Sequence, residues 1–179
     1  MKNTGKKIVI VTGASKGIGR AIAIRLIEAN YNVHGVHSNS LADADQLTAE
    51  YGIIFHQADL SHREQTLKLA KELSILKPHA LINNAGIWEM DEMDGNDFST
   101  WDKTLEVNLT APFILSRLLS KSMDSGSSII NIASTDGLTG AYNGISYSAS
   151  KAALINVTKA SAILLVPKIY VSMLLHLDG

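Results

Sequence analysis

Tyr147 and Lys151 stand four residues apart in the run Tyr147-Ser148-Ala149-Ser150-Lys151, so a helix over that segment puts a phenol and an ammonium on one face. A cation beside a phenol favours the phenolate and draws its pKa toward neutrality, as a general acid/base acting on an alcohol or ketone requires. On its own such a pair is common and usually lies on a surface; its neighbours give it weight. Thirteen residues upstream of Tyr147, just after an apolar run, Ser134 offers a hydroxyl that can hold a reacting oxygen beside the phenol. Asn108 interrupts an otherwise helical run, where it can bend the helix and offer an amide to a water.

A second feature with chemistry in it is the turn Thr12-Gly13-Ala14-Ser15-Lys16-Gly17-Ile18-Gly19, set between an apolar run and an amphipathic segment. Glycines at a strand-to-helix turn let the backbone approach a pyrophosphate and aim a helix N-terminus at its charge. The spacing differs from G-x-G-x-x-G, and on the glycines alone a tight turn without a ligand stays open. About twenty residues past such a turn, a carboxylate would accept hydrogen bonds from the ribose of NAD. Here Val36, His37, Ser38 and Asn39 supply none, and Lys16 lies in the turn. The pattern leans to NADP(H), with NAD(H) compatible.

These groups need a scaffold that brings strand ends and helix starts to one edge. Ile- and Val-rich runs at 8–12, 32–36, 53–55, 80–82, 128–132 and 169–174 alternate with helix-length segments at 17–29, 41–50, 61–76, 101–121 and 146–165. That alternation predicts stacked β-α-β units: an α/β, doubly wound parallel sheet in three α/β/α layers, with ligands at the carboxyl ends of the strands. Ser61 with Glu64 predicts a capping box at the third helix. No repeat, low-complexity tract or linker divides the chain, so residues 1–179 read as one domain.

The composition narrows the partners. The chain has 179 residues, 46% hydrophobic and 18% charged, enough to bury one core. A net charge of -1 without a basic stripe argues against nucleic acid and favours a small molecule. The absence of cysteine excludes disulfides and thiolate chemistry and agrees with a reducing compartment, for which the cytoplasm is the default. The basic start at residues 1–7 leads into an apolar run too short for a signal peptide, and the apolar stretch at 160–177 is broken by Pro167, Lys168 and His176, so no membrane span is expected. The six histidines show no metal-ligand spacing, and Ser134 lacks the G-x-S-x-G elbow of a hydrolase. Trp88, Met90, Met93 and Trp101 either line a substrate mouth or, more commonly for such residues, cap the core.

Together these residues resemble the short-chain dehydrogenase/reductase family from about Lys6 to Pro167, in particular its 3-oxoacyl-carrier-protein reductases and its sugar or polyol dehydrogenases. Thr12 to Gly19 is similar to the family's TGxxxGxG cofactor turn, Asp59, with the cofactor-binding candidate Leu60 beside it, to its adenine-contacting aspartate, and Asn83-Asn84-Ala85-Gly86 to its NNAG strand end. Asn108, Ser134, Tyr147 and Lys151 fall on its catalytic tetrad. The resemblance implies hydride transfer between a nicotinamide cofactor and an alcohol or ketone. Tyr147 would exchange the proton, Lys151 hold the nicotinamide ribose, Ser134 orient the substrate oxygen and Asn108 anchor a water. It also implies cofactor contacts from Thr12, Gly13, Ser15, Lys16, Gly17, Ile18, Gly19, His37, Ser38, Asn84, Ala85 and Gly86, and a homodimer or tetramer built on helices at 108–121 and 146–165.

The resemblance weakens after residue 167. Family members continue with Asn-Ala-Ile-Ala-Pro-Gly and a seventh strand with a substrate lid; this chain has Ser172-Met173-Leu174-Leu175-His176-Leu177. One permitted set of codons for residues 172–179, TCA ATG CTA TTG CAC CTG GAT GGN, reads Asn-Ala-Ile-Ala-Pro-Gly-Trp in the neighbouring frame. The expectation is a C-terminally truncated form produced by a frame slip near residues 162–167, which sequencing the gene tests; a divergent short tail is the alternative. With the seventh strand missing, a sheet of about six strands exposes its last edge at Met173, Leu174, Leu175 and Leu177. Marginal stability and weak turnover are then expected, the competing reading being a non-catalytic product that binds cofactor weakly or needs a partner.

Overall fold

The computed structural model describes residues 5–92, 94 and 96–176, so Met93, Leu177 and the first four residues of the basic start lie outside the described residues. Six strands, β1 (Ile8–Thr12), β2 (Asn32–His37), β3 (Ile54–Gln57), β4 (Ala80–Asn83), β5 (Ser127–Ser134) and β6 (Ile169–His176), form one parallel sheet in the order β3-β2-β1-β4-β5-β6. Each pair of consecutive strands is joined through helix: α1 (Gly17–Glu28), α2 (Leu41–Tyr51), α3 (Arg63–Ser74), then α4 (Ser99–Leu105) and α5 (Ala111–Leu119), and finally α6 (Asp136–Thr139) and α7 (Ile145–Leu165). The crossovers cover the sheet on both faces, which is why the central strands read as continuous Ile/Val runs. Two buried clusters result: one around Ile10, Leu69, Leu73, Leu115 and Ile129, the other around Val9, Val11, Ala23, Leu47 and Ile53.

The strand order reverses direction between β1 and β4, and the crevice beyond their carboxyl ends is where an open α/β sheet binds ligands. A polar seam fixes the helices of the β4–β5 side to the sheet. The Asn83 amide donates to Ser116 Oγ on α5 (3.1 Å) and to Asn131 Oδ1 on β5 (2.8 Å), and Asn131 donates in turn to Thr158 Oγ1 on α7 (2.8 Å).

The strands and long helices fall at the places the periodicity predicts, with ends shifted by one or two residues. Three features differ. The capping box is not formed: α3 begins at Arg63 with His62 rather than Ser61 at its N-cap, and the Ser61 hydroxyl donates to Asp59 Oδ1 at 2.7 Å. The short helix α6 has no sequence signal of its own. The helical run expected at 101–121 contains a π-turn, Glu106–Thr110, between α4 and α5, centred on Asn108. At the far side β6 is the edge strand, with Tyr170 and Leu174 exposed and Met173 half-buried.

Candidate active site

The glycine turn is bolted to the exit of β4. Gly13 has φ +66°, and a Cβ there would lie 3.0 Å from Ala85 Cα; one on Gly19 would lie 2.2 Å from the Gly13 carbonyl oxygen. Glycine is thus required twice, for the backbone conformation and for the close approach. Thr12 is buried, and its Oγ1 accepts the N–H groups of Asn84 and Ala85, both at 3.0 Å. The Asn84 side chain returns a hydrogen bond to the Thr12 carbonyl at 3.0 Å. Gly17, at φ +55°, opens α1, whose N-cap residue Lys16 makes no side-chain cap bond.

A cavity of about 540 Å³ lies over this turn. Gly13, Ser15, Lys16 and Ile18 form its floor, His37 and Ser38 one end, Asp59 and Leu60 a side, and Asn84, Ala85 and Gly86 the end toward β5. Thr12, Gly17 and Gly19 shape the turn from beneath. Asp59 is held below the usual carboxylate range: burial pushes it up, but hydrogen bonds from the Ser61 hydroxyl and N–H and the charge of His62 outweigh that. His37 is buried, edge-on to Phe55, and its Nδ1 has no hydrogen-bond partner. Lys103 of α4 also lines the cavity, a residue that local sequence spacing does not reveal because it arrives from a different crossover.

The remaining site residues lie on β5, on α7 and at the π-turn. Lys151 is 4% exposed, and its ammonium donates to the Ile132 carbonyl on β5 at 2.8 Å while lying 5.6 Å from the centre of the Tyr147 ring. A buried ammonium needs such an acceptor. Ser134 ends β5 fully buried, its Oγ accepting the Asp136 N–H at 3.1 Å. Gly137 lets α6 close on α7: a Cβ there would meet the Lys151 carbonyl carbon and the Ala152 nitrogen at 2.8 Å. The β5 exit carrying Ser134 is thereby pressed against the turn that carries Lys151.

Asn108 is fully buried at the π-turn. Its Oδ1 accepts the Ile87 N–H (2.8 Å), and its Nδ2 donates to the Ile87 carbonyl (2.9 Å) and to Ser150 Oγ (3.1 Å). Both amide N–H donors are therefore committed to protein, and only an Oδ1 lone pair remains for a water. The same bonds tie the β4 exit to α7. A Cβ on Gly86 would lie 3.4 Å from Asn108 Oδ1 and 3.5 Å from Lys151 Nζ, so the strand end passes between the two. Ser150, which bridges Asn108 to the Tyr147 carbonyl (2.6 Å), carries no sequence signal beyond lying inside the Tyr-x-x-x-Lys run.

A second cavity of about 550 Å³ sits beyond the β4 exit, with Met90, Phe98, Trp101 and Ile145 in its wall. Of the four residues for which a substrate mouth or a core cap was expected, Met90 and Trp101 line this cavity and Met93 lies outside the described residues. Trp88 instead lies against Gly144.

Comparison with known proteins identifies the family. The family model described as short chain dehydrogenase matches residues 7–175. Nodulation protein G of Rhizobium sp. (strain N33) is 39% identical over 165 residues, covering 89% of this chain, and the chain spans 66% of that relative's length. Among solved structures, a short chain dehydrogenase from Burkholderia cenocepacia J2315 in complex with NADP superimposes with a TM-score of 0.87 at 30% identity, covering 94% of this chain and 72% of that one. A 4-hydroxyisoleucine dehydrogenase complexed with NADH gives 0.85 at 33% identity, with the same two coverages. The chain belongs to the short chain dehydrogenase family.

Proposed function

We propose that this single-domain chain is a nicotinamide-dependent oxidoreductase that interconverts an alcohol and a carbonyl in a small molecule. The observation that carries the reading is the Lys151 ammonium, which lies 5.6 Å from the centre of the Tyr147 ring and, with Asn108 Oδ1, borders Gly86 in the lining of the cavity above the glycine turn. The cavity suits a dinucleotide by its size and lining: the glycine turn lies at its base, where a Cβ on Gly13 would meet Ala85 Cα at 3.0 Å, and Ser15, Lys16 and Ser38 offer polar groups along it. Gly13, Ser15, Ile18 and the α1 N-terminus would hold its pyrophosphate, His37 and Ser38 its adenosine ribose, Asp59 and Leu60 its adenine. Asn84 to Gly86, with Tyr147 and Lys151, would face its nicotinamide half. When bound, the nicotinamide supplies or accepts the hydride.

The chain's residues handle the proton. Tyr147 Oη passes it to or takes it from the substrate oxygen, Ser134 Oγ holds that oxygen, and Lys151 Nζ favours the phenolate. NADP(H) is the preferred cofactor, since among the described residues lining the cavity Asp59 is the one carboxylate and Lys16 adds a cation; NAD(H) is the alternative. The enzyme works in the cytoplasm as a homodimer or tetramer, pairing through α5 and α7, where Phe113 and Ile163 are exposed. A non-catalytic product that binds cofactor is the second reading, favoured by the full burial of Ser134. Fluorescence titration with NADPH alongside a ketone-reduction assay tests both: binding with turnover supports the enzyme, binding without turnover the second reading, and no binding removes both.

A further inference from the structure

Helix α7 carries both Tyr147 and Lys151, yet its start has no side chain of its own to cap it. The N-cap position is Gly144, and the amide two positions on, at Ser146, is a donor that an N-cap side chain would ordinarily satisfy. That amide donates at 2.9 Å to Oδ2 of Asp91, a residue 55 positions earlier in the segment leaving β4. The contact is reciprocal, for the Asp91 N–H donates to the Asn143 carbonyl at 3.0 Å. Beside it the Trp88 indole packs on Gly144 so closely that a Cβ there would lie 2.7 Å from its Nε1. The turn itself is held by Ser148, whose Oγ accepts the Ala141 N–H and donates to the Gly144 carbonyl, both at 2.8 Å.

The geometry points to Asp91 as a positioning residue for the proton-exchanging tyrosine: its carboxylate, supplied from the β4 exit, replaces the missing cap of α7 and fixes the first turn on which Tyr147 rides. A carboxylate suits the place, since the positive end of a helix dipole and the first-turn amides both favour an anion. Asp91 acts through Ser146, the residue directly before Tyr147. Gly86 and Ile87, earlier in the same segment, are held separately by Asn108, so the Asp91 contact acts on the start of α7 and not on the cofactor cavity. The inference rests on the oxidoreductase reading proposed above.

The test compares the full chain with Asp91→Ala, Asp91→Asn and Gly144→Ala, following thermal stability, NADPH binding, steady-state ketone reduction and backbone hydrogen exchange over residues 145–148. Asp91→Ala is expected to speed exchange at those amides and to lower kcat by about ten- to a hundred-fold, the penalty of an ångström-scale misplacement, with KM and NADPH binding little changed. Asp91→Asn, which keeps an acceptor oxygen, should restore most of both. Gly144→Ala, which pushes the indole away from the opposite side, should act as Asp91→Ala does but more weakly. Unchanged exchange in Asp91→Ala, or a kcat that falls only in step with lost thermal stability, overturns the role of Asp91 and leaves the oxidoreductase reading standing. A parent chain that binds NADPH but reduces no ketone overturns the oxidoreductase reading, and the role with it, through the activity readout alone.

Discussion

The two ends of the crevice are made from different parts of the chain. Over β1 to β3 the surface is mostly backbone: glycines at 13, 17 and 19, the amides that open α1, and a carbonyl-to-amide stitch from Val36 to Ala14. Over β4 to α7 it is mostly side chains, each held by another side chain or a distant carbonyl: Asn108 on Ile87 and Ser150, Lys151 on Ile132, the α7 start on Asp91. A backbone cradle is set by a few consecutive residues. A side-chain constellation is set by whichever elements happen to surround it, so its parts are coupled.

Substitutions in each end should therefore fail differently. Tyr147→Phe should have the largest effect, cutting turnover by about 10²–10⁴-fold while leaving NADPH titration unchanged; a variant that keeps turnover, or loses binding as well, breaks the division of labour. Gly19→Ala should do the converse. Its methyl would press on the Gly13 carbonyl, and overpacking of about 1–3 kcal/mol should raise the Kd for NADPH about tenfold with a lower Tm. An unchanged Kd would show that the turn is not the cradle.

Thr12→Val tests the seam between the two ends. It keeps the volume but removes the oxygen that accepts two amides, at a cost of about 1–3 kcal/mol in a urea melt. A loss near zero would mean the seam is held by Asn84 alone. The smallest effect is a pH dependence in the backbone-built end. His34 and His56 stack there, ring centroids 5.2 Å apart with Nδ1 and Nε2 at 2.9 Å, and burial, reinforced by His56, pulls the His34 pKa down to about 4 from 6.5. Between those two pH values the unfolded chain binds more protons than the folded one, so stability is complete above pH 6.5 and declines as the pH falls toward 4. Tm measured across that window should fall in the parent and fall less in His34→Gln; parallel curves would remove the pair from the account.

The fold was legible because its signal is local and repeated. The Ile/Val run at β1 and the amphipathic segment of α1 each announce themselves within a dozen residues, and five such alternations leave little but a doubly wound sheet. Ser61 shows the limit of that reasoning: its capping-box spacing is correct, yet α3 starts two residues later with His62 as its N-cap, and the Ser61 hydroxyl donates to Asp59. Asn108 shows the same limit in the site. Its break in the helix was readable from sequence, whereas the commitment of its amide to Ile87 and Ser150 was not.

Sequence alone determined the parallel sheet, the glycine turn and the pairing of Tyr147 with Lys151, since each depends on residues within one element or one turn of chain. Only the tertiary structure decided that Gly86 runs between Asn108 and Lys151, that Lys103 enters the cavity, and that Asp91 closes the start of α7. Those contacts join residues tens of positions apart through the crossing of separate β-α units. A hydrogen bond or a close approach between such units depends on where packing puts them, which no spacing along the chain records.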